Sequence, residues 1–430
     1  MWLRDGWYTI AMKHLVGVMD CNNFFVSCER LFRPDLVEKP VAVLSSNDGC
    51  IVARSNEVKD MGIPMGIPLF QAKQLVDMRP VTLFSSNFTL YRDLSRRVMA
   101  MLAAEVGACE VYSVDEAFFT VPVAITEAEL HALRTHISKT TGIPVSIGVG
   151  ATKTIAKVAV EQEKRGSGVC LLRDDDWRAV AADYACHEVW NIGRATAAAL
   201  REVDITTVAE LLAADRSWVA KRFGVAGCRL YDELSAVSVH QVTPNSDDIR
   251  QSLTSSRSFA ESTSQLSELE SALSYHVVEV AKKLRQQRLL TDRLIIIARP
   301  SRHGDFAYQR GSFEVPLLRP SNVTSELLSA ALAGLRANFD SRVPYKKAGV
   351  VAGGLVPESF RQVGLFDQAV EQHRTAGQRV DSITDRLNTR FGAGTIRPAV
   401  ILASGTKVSA KLRSPSYTTV WKDIPTVQAG

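Results

Sequence analysis

Three acidic residues of this 430-residue chain stand where packing has little use for them. Asp20 closes the apolar run HLVGVM that begins at His14, and Asp115 and Glu116 sit side by side between the strand-like runs EVYSV and AFFTV. An apolar run without alternation reads as a strand buried on both faces, and a carboxylate at its carboxyl end seldom serves packing. Adjacent strand residues point to opposite faces, but at a tight hairpin turn both side chains can converge on one side. Three carboxylates gathered there would repel one another, raise their pKa values and destabilise the fold unless cations sat between them. Hard oxygen ligands imply Mg2+, or Mn2+ in its place, and not zinc. Two such ions, about 3.5 to 4 Å apart, can activate an attacking 3′-hydroxyl and stabilise a departing pyrophosphate, so the chemistry within reach is nucleotidyl transfer. Taken alone, an Asp-Glu pair in a hairpin is equally ordinary turn chemistry.

The surrounding elements separate the two readings. Asn22 or Asn23 can cap a helix over FFVSCERLF, and the strand PVAVLSS begins at Pro40. Short helices near Arg54 to Met61 and from Pro68 complete a small, separate helical insert. The strand VTLFSS and a long amphipathic helix from about Phe88 to Val106 lead into the acidic hairpin. A helix from Thr126 to Thr140, the strand PVSIGVG, a helix from Thr152 to Lys164 and the strand GVCLL follow. Without the insert the order is β-α-β-β-α-β, the ferredoxin-like split βαβ arrangement, which puts the hairpin turn beside the end of the first strand. Many nucleotide-polymerising enzymes have a palm of this kind. After Asp183 the pattern is wholly helical. There Asn191-Ile192-Gly193 forms a tight turn resembling a helix-hairpin-helix, whose amides can hold a DNA phosphate; glycine turns between packed helices also occur with no ligand. The polar stretch QVTPNSDDIRQS reads as an interdomain linker, and a second small α+β domain follows it.

Composition narrows the classes. With 46% hydrophobic and 23% charged residues the chain is neither disordered nor fibrous. No apolar run approaches the roughly 18 residues that span a bilayer, which predicts a soluble, cytoplasmic protein with no membrane partner. Seven scattered cysteines without a C-x-x-C signal neither a disulfide framework nor a zinc site. The net charge of +5 lies in one place: Thr254 to Pro357 holds 14 Lys and Arg against 9 Asp and Glu. Such a surplus can track a phosphate backbone or simply form a solvated helix face.

The motifs VMDCNNFF, YSVDEAFF, GVGATKTIAK and VWNIG resemble the Y-family of translesion DNA polymerases, and SSNDGCIVARSNEVKDMGI resembles its UmuC branch, the catalytic subunit of bacterial DNA polymerase V. The similarity runs from about Met12 to Asp367. It implies an α+β fold with a ferredoxin-like palm (12–23 and 91–179) and a small helical fingers insert (24–90). It further implies an all-α helix-hairpin-helix thumb (180–240), a linker (241–253) and a small α+β little finger (254–357). An extension (1–11), with Met1 or Met12 as the start, precedes these, and a tail (358–430) follows. By the same resemblance Asp20, Asp115 and Glu116 are the catalytic, metal-binding carboxylates, with the backbone carbonyl of Cys21 a further metal contact. Phe24 and Phe25 match positions that bind the incoming nucleotide, and Phe25 falls at the steric gate against the ribose 2′-hydroxyl, a position often tyrosine in this branch. Lys59 and Lys164 match contacts to the triphosphate of the incoming deoxynucleotide, and Asn56 stands where archaeal relatives have tyrosine.

The basic domain then corresponds to the part that lies along primer-template DNA, with Lys282, Lys283, Arg285 and Arg288 on one helix as phosphate contacts alongside Asn191, Ile192 and Gly193. Gln362, Leu365 and Phe366 have the Q-x-x-L-F form of a sliding-clamp peptide, which inserts its apolar pair into a pocket. The tail through SPSYTTVWKDI resembles the region that implies contact with a cleaved UmuD-type accessory homodimer and RecA. The expected activity is error-prone translesion synthesis in the SOS response, nucleoid-associated when active. The small insert leaves mispair rejection to pairing and stacking, because fit alone discriminates by only about 1 to 3 kcal/mol. A palm-type nucleotidyl cyclase and a non-catalytic DNA-binding scaffold are the competing readings; a cyclase needs no duplex grip, and a scaffold needs no full set of acidic positions.

Overall fold

The computed structural model describes residues 14–78, 80–164, 166–244, 251–301, 306, 311–360, 368–403 and 410–426. They belong to two compact units, Met1–Ser246 with Ser409–Gly430, and Asp247–Val408. The extension 1–11 and the clamp-type residues Gln362, Leu365 and Phe366 lie outside the described residues.

In the first unit β1 (His14–Cys21) is buried along all but its first residue, as its unbroken apolar run requires. There follow α1 (Phe24–Phe32), β2 (Val41–Leu44), β3 (Ile51–Arg54), α2 (Asn56–Asp60), α3 (Leu69–Met78) and β4 (Thr82–Ser85). Next come α4 (Phe88–Val106), β5 (Cys109–Val111), β6 (Glu116–Pro122), α5 (Glu127–Thr141), β7 (Val145–Gly150), α6 (Lys153–Glu163) and β8 (Val169–Leu171). Five strands form one sheet in the order β5-β6-β1-β7-β8, with β1 antiparallel to both β6 and β7. The first four are the split βαβ order expected from sequence, and β8 extends it parallel to β7. The insert is not purely helical: β3-β2-β4 form a second sheet within it. Strands β2 and β4 are the runs PVAVLSS and VTLFSS expected from sequence; β3, four residues long, is too short for a period to declare itself.

Capping sets the helices. Asn87 accepts from the Leu90 amide to start α4, whose buried Leu90, Leu94, Val98 and Leu102 recur at helical spacing. Thr126 and Glu129 form a capping box on α5, and Thr152 caps α6. Helix α6 lies hard against β7, because a Cβ on Gly148 would stand 2.2 Å from the Val160 amide nitrogen. Its first turn is held further by Glu233, fully buried, whose carboxylate accepts from the Thr154 amide at 3.1 Å and from the amides of Val239 and His240 at 2.8 and 2.9 Å. Glu233 ends the helical stretch α7 (Asp174–Asp183), α8 (Arg194–Arg201), α9 (Val208–Ala213) and α10 (Arg216–Leu234), which has a core of its own.

The second unit contains β9 (Leu253–Thr263), α11 (Leu266–Gln286), β10 (Leu289–Pro300), β11 (Ser312–Ser321), α12 (Thr324–Asn338), β12 (Tyr345–Pro357) and α13 (Gln368–Phe391). Its sheet runs β11-β10-β12-β9, antiparallel throughout, with Leu273, Val277 and Leu284 of α11 buried in its core. Strand β9 had no sequence signal, because LTSSRSFAEST is nearly all polar and pairs only along one edge.

Candidate metal and nucleotide site

The register of the palm-like sheet makes Asp20 and Glu116 direct neighbours, opposite one another on β1 and β6. Their carboxyl groups share a hydrogen bond. Asp20 is 6% exposed, and its burial, outweighing the nearby Lys164 ammonium, pushes its pKa up to about 7. Burial also acts to raise Glu116, but the hydrogen bond with Asp20 and the ammonium groups of Lys157 and Lys164 hold it below its ordinary value. The two carboxyls are thus pushed in opposite directions and titrate together. Lys157 lies on α6 and Lys164 directly follows it: Lys164 Nζ lies 3.1 Å from Asp20 Oδ2, and Lys157 Nζ bonds Glu116 Oε1. Lys153, further up the same face, places its ammonium 2.7 Å from both oxygens of Glu110 and over the Phe118 ring. Lys157 was not singled out from sequence, although Lys153, Lys157 and Lys164 recur at spacings that put them on one side of a helix.

Asp115 is brought to the same strand ends by its backbone. Its carbonyl accepts from the Cys21 amide at 2.8 Å, while the Tyr112 and Ser113 amides close the loop onto Glu116 O. Its carboxylate, however, is bonded to the Ser113 hydroxyl, which also accepts from the Asp115 and Glu116 amides at 3.2 and 3.1 Å. Among the described residues no three His, Cys, Asp or Glu side chains converge as a metal cage. The expected cluster of three carboxylates is thus a pair plus a neighbour turned aside, because the ammonium groups already balance the pair and Ser113 satisfies the third. The donor set still suits a hard cation: carboxylate oxygens with a positive charge drawn onto them. Burial and the adjacent carboxylates push the Cys21 thiol far up, so only its backbone carbonyl is a candidate ligand.

Phe24 is sealed in the core at 3% exposure, so its side chain cannot touch a nucleotide and that expectation is corrected. Phe25 is half-buried, stacked on Tyr91 with ring centroids 4.5 Å apart and edge-on to Phe88 at 5.7 Å. Asn56 Oδ1 accepts from Lys59 at 3.2 Å and from Asn23 at 3.1 Å, tying the start of α2 to the residue that precedes α1. The structure therefore places Asn56 and Lys59 by way of Asn23, three positions beyond Asp20.

At the expected phosphate-binding turn, Asn191 takes φ 72° and Gly193 caps α8 with nothing within 4 Å of its Cβ position, while Ile192 is buried. The stretch before it is a single 3-10 turn, Cys186–Glu188, and not a regular helix. Ala185, just before that turn, forms an isolated bridge with Thr207. In the second unit Arg285 is not free for phosphate. Its guanidinium bonds Asp381, Asp385, Thr324 and the Asn322 carbonyl, clamping α13 to α11 and α12. Arg288 stands beyond α11 in an exposed turn at φ 52°, and Lys282 and Lys283 are half-buried on the helix.

The arrangement of these elements is that of a Y-family DNA polymerase. A solved structure of a Y-family DNA polymerase chimera of Dbh and Dpo4 matches with a TM-score of 0.66 at 19% identity, over 80% of this chain and 99% of that one. The chain belongs to the impB/mucB/samB family: the family model matches residues 19–161 and that of its C-terminal domain 250–365, while a domain of unknown function matches 378–427. It is 32% identical to Protein SamB of Salmonella typhimurium, over 96% of this chain and 99% of that protein. It is 31% identical to Protein UmuC of Salmonella typhimurium strain LT2, over 95% and 99%. No helix among the described residues is long and apolar enough to cross a membrane.

Proposed function

We infer that the chain is a DNA-directed DNA polymerase that performs translesion synthesis in SOS mutagenesis, extending a primer 3′-hydroxyl by nucleotidyl transfer at the Asp20–Glu116 pair. The observation that carries the site is the pairing of these two carboxyls across adjacent strands, with Asp115 hooked to Cys21 beside them. Asp20, Asp115, Glu116 and the Cys21 carbonyl are the residues that would hold divalent cations, Mg2+ or Mn2+. When bound, such ions lower the cost of charge developing on the attacking and leaving oxygens.

The chain's own residues supply the rest. Lys164 and Lys157 neutralise the carboxylates until a triphosphate offers its oxygens to the same ammonium groups, and Lys59 with Asn56 adds a second polar arm from the insert. Phe25, braced by Tyr91 and Phe88, excludes a 2′-hydroxyl by bulk. The Asn191–Gly193 turn with the α8 amino terminus and, in the second unit, Lys282, Lys283 and Arg288 contact phosphates of primer-template DNA without reading sequence. Gln362, Leu365 and Phe366 bind a sliding clamp, and the tail meets a UmuD-type homodimer and RecA on DNA at the nucleoid.

Primer extension across an abasic template with Mg2+, deoxynucleotides and these partners tests the reading. Wild type extends past the lesion; Asp115→Asn, which keeps its hydrogen bonds to Ser113 but loses the charge, does not. Full extension by that variant overturns the site assignment.

A further inference from the structure

Residues 410–426, all within the domain of unknown function, return to the first unit and bind it through backbone and buried side chains. Leu412 exchanges hydrogen bonds with Ser85 at 3.0 Å each, extending the end of β4. Asn87, fully buried at the start of α4, donates to the Ser414 carbonyl, the Ser414 hydroxyl and the Pro415 carbonyl at 3.0 to 3.1 Å. Tyr417 stacks on Phe32 of α1 with centroids 4.5 Å apart. The segment therefore grips both α1, which carries Phe25, and α4, which carries its ring partners Phe88 and Tyr91.

One of these contacts reaches the ring itself. The Ser414 hydroxyl, 7% exposed at the residue level, donates to Glu29 Oε1 at 3.0 Å, and the same oxygen accepts from Tyr91 Oη at 2.6 Å. Glu29 is fully buried and its other oxygen has no partner, so all of its hydrogen bonding passes through the atom shared by Ser414 and Tyr91. The Tyr91 ring in turn lies flat against Phe25, 15° from parallel. Ser414, Glu29, Tyr91 and Phe25 thus form one continuous packed and hydrogen-bonded line.

We propose that the carboxyl-terminal segment is a positioning strap for Phe25, with Ser414, Glu29 and Tyr91 as residues that set sugar selectivity without touching the nucleotide. The proposal builds on the reading of Phe25 as the gate. Removing the Ser414 hydroxyl leaves a buried carboxyl with one donor, and the carboxyl regains its bonding only by turning or admitting water. Either change releases the Tyr91 hydroxyl and lets the stacked pair shift. A gate that excludes one oxygen atom by bulk is sensitive to displacements well below an ångström.

The test is single-nucleotide insertion by the full chain on undamaged primer-template. The preference for deoxynucleotide over ribonucleotide is measured as the ratio of kcat/KM values for wild type, Ser414→Ala, Tyr91→Phe, Phe25→Ala and the double variant Phe25→Ala/Ser414→Ala. Ser414→Ala and Tyr91→Phe each lower the preference about fivefold, which is about 1 kcal/mol, with deoxynucleotide kcat nearly unchanged. Phe25→Ala lowers it more, and adding Ser414→Ala to it changes nothing further, since the strap acts only through the ring. Wild-type preference in both Ser414→Ala and Tyr91→Phe, with preference lost in Phe25→Ala, overturns the strap and leaves the gate standing. Wild-type preference in Phe25→Ala removes the gate and the strap together. A purely structural strap would lower thermal stability and leave the ratio alone.

Discussion

Replacing Gly148 by alanine tests whether the packing of α6 on β7 positions the lysines that face the proposed catalytic carboxyls. The new Cβ would sit 2.2 Å from the Val160 nitrogen, 2.5 Å from the Ala156 carbonyl oxygen and 2.8 Å from the Val160 Cα, all of them backbone. No side chain can swing aside, so the helix must lift by about 1 Å to restore ordinary contact. Overpacking of this kind costs about 1 to 3 kcal/mol, which lowers the melting temperature by roughly 3 to 10 °C in a unit of this size. The same displacement carries Lys157 and Lys164 away from Glu116 and Asp20. Misplacing catalytic groups by about 1 Å can cost on the order of a hundredfold in rate. Primer extension at a temperature well below the melt, on protein shown folded by circular dichroism, separates the two effects. Gly193→Ala, where the Cβ meets nothing within 4 Å, is the control for stability. If Gly148→Ala extends primers at the wild-type rate, α6 does not position the site and the account of its lysines is wrong.

Three further outcomes are expected. Arg285→Ala removes a guanidinium bound to Asp381 and Asp385 and should destabilise the second unit by about 3 kcal/mol in a denaturant melt; a specific loss of DNA affinity with unchanged stability would instead restore Arg285 as a phosphate contact. His276, buried and facing Arg257, Lys283 and Lys347, has its pKa lowered to about 4, so the folded second unit keeps it neutral. The unfolded chain binds this proton below its ordinary pKa of 6.5, so stability is full above that pH and falls by at most about 3 kcal/mol as pH drops towards 4; His276→Gln should flatten that part of the curve, and an unchanged slope would acquit the histidine. Alanine at Leu365 and Phe366 should weaken clamp binding in a pull-down or calorimetric titration without altering distributive synthesis, and equal affinity would sink the motif.

Much of the palm was legible because its signals are local. An unbroken apolar run ending in Asp20, and a hairpin turn at Asp115 and Glu116, are each visible within ten residues, and strand order follows from their sequence order. The direction of the Asp115 carboxylate was not legible, because it depends on the Ser113 hydroxyl and not on strand period. Arg285 looked like its neighbours on a basic helix; its partners Asp381 and Asp385 lie about a hundred residues on. The carboxyl-terminal strap is further still from prediction. Leu412 meets Ser85 and Ser414 meets Glu29 across more than three hundred residues, through bonds made by side chains that carry no periodicity. Strand β9 failed for the opposite reason, having length but no apolar alternation.

The lysines on Glu116 and Asp20 give the enzyme a standby condition. If these acids hold cations as proposed, their ammonium partners would let the site fold without waiting for ions, and the supply of divalent cations would govern turnover and not survival. It also turns loading into an exchange. An ion alone would have to displace Lys157 and Lys164 from the carboxylates, whereas a triphosphate accompanying it would offer those lysines an anion in exchange. Cation and nucleotide should therefore each tighten the other's grip, and the empty site should hold metal weakly until there is something to copy.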